Sequence, residues 1–211
     1  MRKAGIMIKD TDNMRTLTKN LNKLNKKRIK VGVFGDDNYK YGDDANIVTI
    51  ARVHEFGATI RPVKAEWLTI PLIPEAKGKR AADFGKELFF YQKDDNKAFL
   101  ARKRGKDVEN VFLLLKSVTI PERSFLRSGY DENIDHINKK IDSMIEDVLT
   151  GGIDPDVFAD MIGQEFAGLI QKKLRSISDP PNSPITINVK GSSNPLIDTG
   201  HLVGSIRHEV E

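Results

Sequence analysis

The sequence predicts an α+β fold: a mixed, mostly antiparallel sheet built on a β-meander, flanked by an N-terminal helix, a short helix and a long C-terminal helical hairpin. Three observations carry this. Apolar residues recur at spacings of three and four from Asp12 to Lys26 and again from Arg123 to Ser176, the period of an amphipathic helix. Three strand-like runs, Glu87–Gln92, Lys97–Lys103 and Val108–Ile120, follow one another across short turns. Gly151-Gly152 interrupts the second helical stretch, and Asp154-Pro155 restarts it, which predicts an antiparallel hairpin.

In order, Asp12–Lys26 places Met14, Leu17, Leu21 and Leu24 on one stripe and basic side chains on the other face. Arg28–Phe34 alternates as a strand, with Ile29, Val31 and Val33 on one side. Gly35-Asp36-Asp37-Asn38 ends it with turn residues, and the polar segment to Asp44 reads as a loop. Asn46–Phe56 is the short helix, with Ile47, Ile50, Ala51 and His54 on one face. Phe56 is expected in the core, His54 partly buried near the helix end, and Gly57 in a left-handed helix stop. Thr59–Pro62 and Glu66–Pro71 read as two strands around a turn, the second holding the only tryptophan, Trp67. Pro71 and Pro74 exclude a central strand beyond Ile70.

Residues 75–86 are basic and irregular. In the meander, Asp94-Asp95-Asn96 and Arg104-Gly105-Lys106 supply the turns, and the third run, rich in Leu and Val, is expected to be the most buried. In the hairpin, Ile134, Ile137, Ile141, Ile145, Val148 and Leu149 carry the first apolar stripe and Phe158, Ile162, Phe166, Leu169, Ile170 and Leu174 the second, with Asp154 as N-cap and Pro155 at the first helical position. Asp179–Pro184 is a loop, Ile185–Val189 alternates as a strand, Gly191–Pro195 is a second loop, and Arg207–Glu211 is a last strand. The chain reads as one domain over 1–211, with loops protruding at about 36–45, 75–86 and 178–195.

Composition narrows the function. The chain is 39% hydrophobic and 30% charged, ordinary for a soluble protein. No apolar run reaches the ~18 residues of a membrane span, and Met1–Lys9 shows no signal-peptide cleavage site. The absence of cysteine removes disulfides, thiolate metal sites and a Cys nucleophile, and fits a reducing cytoplasm. The net charge of +4 is unevenly spread. Residues 1–30 hold ten Lys/Arg against two Asp, 76–106 ten against four acids, and 131–165 ten acids against two lysines. Such asymmetry can steer a partner or pair one copy of the chain with the next, and it equally fits solvated helix faces; if copies pair, Asp142, Glu146 and Asp147 are the candidate subunit-interface charges.

No catalytic, cofactor or metal site emerges. His54-Glu55 begins a zinc-protease motif, but the second histidine would stand where Ala58 is. None of the four histidines, His54, His136, His201 and His208, has the helical spacing of a metal pair with another. Gly204-Ser205-Ile206 lacks the frame of a nucleophile elbow, and no phosphate-cradling glycine loop occurs. A basic nucleic-acid-binding accessory protein, with the N-terminal helix on DNA, is the alternative reading, and a hydrolase using His54 and Glu55 is a third.

Three blocks remain, in a fixed order: Ala51-Arg52-Val53-His54-Glu55-Phe56-Gly57 followed by Ile60-Arg61-Pro62; Leu68-Thr69-Ile70-Pro71-Leu72 leading to Val118-Thr119-Ile120-Pro121-Glu122-Arg123-Ser124-Phe125-Leu126; and Pro195-Leu196-Ile197-Asp198-Thr199-Gly200-His201-Leu202-Val203-Gly204-Ser205-Ile206. Together, over about residues 46 to 206, they resemble the neck and tail-completion proteins of tailed bacteriophages, also called virion morphogenesis or minor tail proteins. The motif positions are His54, Glu55, Phe56, Gly57, Arg123, Phe125, Leu126, Asp198, Thr199, Gly200, Leu202 and Ser205. The family usually has proline after the arginine; here Ser124 stands there, and a serine can still cap the following helix. The resemblance implies a non-enzymatic virion protein without cofactors. It would form a homo-oligomeric ring, six- or twelve-fold, as a head–tail connector at the neck, assembled in the host bacterial cytoplasm. Its partners would be other neck proteins (an adaptor or head-closure protein, a tail terminator or tail tube), with incidental contact with packaged DNA and none with membrane.

Overall fold

The computed structural model describes residues 11–35, 40–41 and 45–211. The reading of Met1–Lys9, the turn at Asp36–Asn38 and most of the 36–45 loop lie outside the described residues. In chain order the elements are α1 (Thr11–Leu24), β1 (Ile29–Val33), β2 (Lys40–Tyr41), β3 (Ala45–Asn46), α2 (Ile47–Phe56), β4 (Ala58–Ile60), β5 (Leu68–Pro71), β6 (Phe89–Asp94), β7 (Lys97–Arg104), β8 (Asp107–Leu115), β9 (Val118–Ile120), α3 (Leu126–Thr150), α4 (Pro155–Ser176), α5 (Pro184–Lys190), α6 (His201–Gly204) and β10 (Ile206–Val210). This is the α+β fold expected, with antiparallel sheets and a C-terminal helical hairpin. Where the sequence reads as one domain, the chain groups into two compact units: 1–34 with 126–173 and 205–211, and 35–125 with 174–204.

In the first unit α3 and α4 lie antiparallel. Gly151, at φ 91°, breaks α3, and the Asp154 side chain caps α4 by accepting the Asp156 N–H at 2.8 Å. Glu165 takes His136 and Lys140, and Lys173 pairs with Glu132. Gly129 lets the helices approach, since a Cβ there would stand 3.2 Å from Ile170 Cγ1. The contact α1 makes with this hairpin is polar. Asn20, 8% exposed, donates to Val148 O at 2.9 Å, and Lys23 and Lys27 pair with Asp156 at 2.7 and 2.8 Å. Of the apolar stripe, Met14, Leu17 and Leu21 are exposed and Leu24 is half-buried. β1 and β10 pair antiparallel from Ile29↔Val210 to Val33↔Ile206, which bears out both strands.

In the second unit the sheet order is β5-β8-β7-β6, all antiparallel. The meander is as expected, and Val111 to Leu114 of β8 are its most buried stretch. The third run breaks at Lys116–Ser117, so that β9 leaves the sheet. Three readings are corrected here. Residues 58–60 do not form a hairpin with β5; they pair with β9, Ala58↔Ile120 to Ile60↔Val118. The stretch 75–86 is not a protruding loop. It folds into 3-10 turns at Pro74–Ala76 and Ala81–Glu87, which bury Ala76 and set Phe84 edge-on to Phe112 at 5.4 Å. Ile185–Val189 is helical, because Ser183 caps it, Pro184 opens it and Gly191, at φ 74°, ψ 11°, closes it. β2 and β3 make a short antiparallel pair in the segment read as a loop.

Candidate functional site

The three blocks of the resemblance meet around the end of α2. Asn46 caps this helix by accepting the Thr49 N–H at 2.8 Å. Its buried positions are Ile47, Ala51 and Glu55, spaced by four. Phe56, expected in the core, is 59% exposed, and the residue taken inward is Glu55, at 2%. Gly57 stops the helix at φ 68°, ψ 163°. That is the extended, essentially glycine-only conformation rather than the left-handed helical stop expected. A Cβ there would lie 2.9 Å from Glu122 N and 3.1 Å from Ile120 O. Only glycine lets the chain turn this closely over β9 and enter β4.

That close approach brings the second block onto the helix end. Arg123 N–H donates to His54 O at 2.7 Å. Ser124 Oγ donates to Glu55 Oε1 at 2.7 Å, and Phe125 N–H to Glu55 Oε2 at 2.8 Å. The buried carboxylate thus accepts from groups just ahead of α3, Ser124 Oγ and Phe125 N–H among them. Phe125 is fully buried, and Leu126 opens α3 in the first unit. The Arg123 side chain, 6% exposed, donates from Nε to Pro180 O at 2.6 Å and from Nη2 to Pro181 O at 3.0 Å. Burial pulls its pKa below that of an ordinary arginine.

In the third block Asn194 Oδ1 accepts the N–H groups of Leu196 and Ile197 at 3.0 and 3.1 Å. Asp198 pairs with Lys77 at 2.8 Å, Gly200 turns at φ 84°, and α6 packs on α2 with Leu202 buried. Thr199 is exposed, and Ser205 is buried in the first unit. Asp142, Glu146 and Asp147 are exposed on α3.

The second unit holds a groove of about 1220 Å³, lined by Ile50, Ile60, Ile70, Leu115 and Ile185 and also by His54, Arg123, Lys190 and Asp198. His54 Nδ1 is buried without a hydrogen-bond partner among the described residues. Burial, then the charges of Arg123 and Lys190, push the His54 pKa down to about 4, so the ring is neutral at pH 7. Glu55 does not line the groove. The two neighbours in sequence therefore point apart and form no acid–base pair. Among the described residues no cluster of three His, Cys, Asp or Glu could hold a metal ion.

Sequence reasoning missed Lys190 and the carbonyls of Pro180 and Pro181. A usable signal was present in the second case, because consecutive prolines keep a segment out of helix and leave its carbonyls for other donors. No family model matches the chain, and neither does any curated protein or solved structure.

Proposed function

We propose that this chain is a structural virion protein of a tailed bacteriophage, a neck or tail-completion subunit that joins copies of itself into a ring between the DNA-filled head and the tail. The observation that supports this reading is the fate of the Glu55 carboxylate. The motif that looks most like chemistry is used to fasten the chain, with Glu55 buried on Ser124 Oγ and Phe125 N–H. This weighs against the hydrolase, since His54 and Glu55 face different surroundings. The nucleic-acid reading loses part of its basis, because Lys23 of α1 is ion-paired with Asp154 and Asp156 of the same chain, and Lys27, just beyond α1, with Asp156. No helix among the described residues is long and apolar enough to cross a membrane. Deleting the gene from the phage genome tests the proposal. Negative-stain microscopy of the lysate should show filled heads and separate tails; joined, infectious particles would refute it.

A further inference from the structure

We propose that the groove of the second unit is a docking slot for an extended segment of a separate protein chain bearing alternating apolar and acidic side chains. Its volume, about 1220 Å³, is above the roughly 300–1,000 Å³ of small-ligand pockets. One wall is an edge strand: among the described residues β5 is paired by β8 alone, and its Leu68, Thr69 and Ile70 line the groove. Leu72 N–H donates to Val111 O at 2.9 Å, so by antiparallel alternation the backbone of Thr69 points away from β8. An incoming strand can pair there while its alternate side chains enter the apolar walls.

Two cations in the lining select acid. Lys190 Nζ donates to Asn194 O and Pro195 O, at 2.7 and 3.3 Å, and Arg123 to two proline carbonyls. Neither cation has a carboxylate within ion-pair distance among the described residues. Asp179 and Asp198 act on Arg123 and Lys190 from beyond that distance, and Asp198, which also lines the groove, is paired with Lys77. Cations partly drawn out of water and hydrogen-bonded to carbonyls still gain from an arriving carboxylate. The apolar walls disfavour a polyphosphate. The chain's own Ile6-Met7-Ile8 is a poor occupant, because Arg2, Lys3 and Lys9 flank it with like charge. The inference stands on the groove alone and does not depend on the neck role.

Fluorescence anisotropy of the full chain with a panel of fluorescein-labelled ten-residue peptides, alternating Glu with Leu, Ile or Val, tests it. Saturable binding is expected from at least one peptide, weakened tenfold or more when its Glu residues become Gln. Lys190→Met should reduce the acidic peptide to the level of its amide form. Ile185→Glu, at a groove position 37% exposed, should abolish binding with the circular dichroism spectrum unchanged. No saturable binding, equal binding of acid and amide forms, or binding unaffected in both variants would overturn the proposal. So would saturable binding of dodecanoate with none of any peptide, which would assign the groove to small apolar acids.

Discussion

At Gly57 two constraints coincide: a backbone at φ 68°, ψ 163°, and a Cβ position 2.9 Å from Glu122 N. Neither can relax cheaply, because the obstructing atoms are backbone. Gly57→Ala should therefore lower stability by about 3 kcal/mol or more, as a shift in the urea midpoint. Gly105→Ala is the control: φ is also positive, at 67°, but nothing lies within 4 Å of the Cβ position, so the cost should stay near 1 kcal/mol. Glu55→Gln puts an amide where the Ser124 and Phe125 donors converge and should cost about 2 kcal/mol; Ser124→Ala removes the bond from Ser124 Oγ to Glu55 and should cost at least about 1 kcal/mol. Equal midpoints for Glu55→Gln and wild type would contradict the fastening role. His54 adds a pH dependence. Its folded pKa, about 4, is below the unfolded value near 6.5, so between them the unfolded chain binds more protons. Its contribution is full above pH 6.5 and is lost as pH falls toward 4, by at most about 3 kcal/mol. Unfolding titrations at pH 7.5 and 4.5 should show a smaller difference for His54→Leu than for wild type.

At the scale of elements, α1 gives the sharpest contrast. Met14, Leu17 and Leu21 of its apolar stripe face solvent, Leu24 is half-buried, and the helix buries the polar Asn20. Leu17→Glu and Leu21→Glu should each change stability by less than about 0.5 kcal/mol, as surface substitutions do. Asn20→Ala should cost about 1–2 kcal/mol, because the Val148 carbonyl loses a buried donor. The reverse order in thermal melts would mean that α1 packs through its stripe. What the sequence shows of the elements depends on range. The meander and the α3–α4 hairpin were legible because their signals are local: turn residues, a Gly-Gly break and an Asp-Pro restart. The partner of β4 was not, because it lies about 60 residues away and three-residue strands carry little pattern. Ile-Thr-Ile-Asn-Val reads as a strand by alternation, yet the capping residues on both sides make α5 helical. At the site, Glu55 was singled out but Phe56 was sent inward on hydrophobicity, although Ile47, Ala51 and Glu55 share a four-residue spacing.

For the whole molecule, the sequence shows charge asymmetry but not which charges are neutralised within one chain. Asp154 and Asp156 are met by Lys23 and Lys27, whereas Asp142, Glu146 and Asp147 stay exposed on α3 and remain the interface charges proposed. A closed ring needs a heterologous surface that repeats by rotation, and an acidic helix face meeting a neighbour's basic surface would supply part of it. Asp142→Lys, Glu146→Lys and Asp147→Lys together should leave thermal stability near wild type and reduce the oligomer measured by light scattering; an unchanged oligomer would remove charge pairing from the assembly. The most direct measurement is a cryo-electron-microscopy reconstruction of the intact phage particle. The expected result is a closed ring of copies of this chain at the head–tail junction, and a junction fully accounted for by other proteins would contradict it.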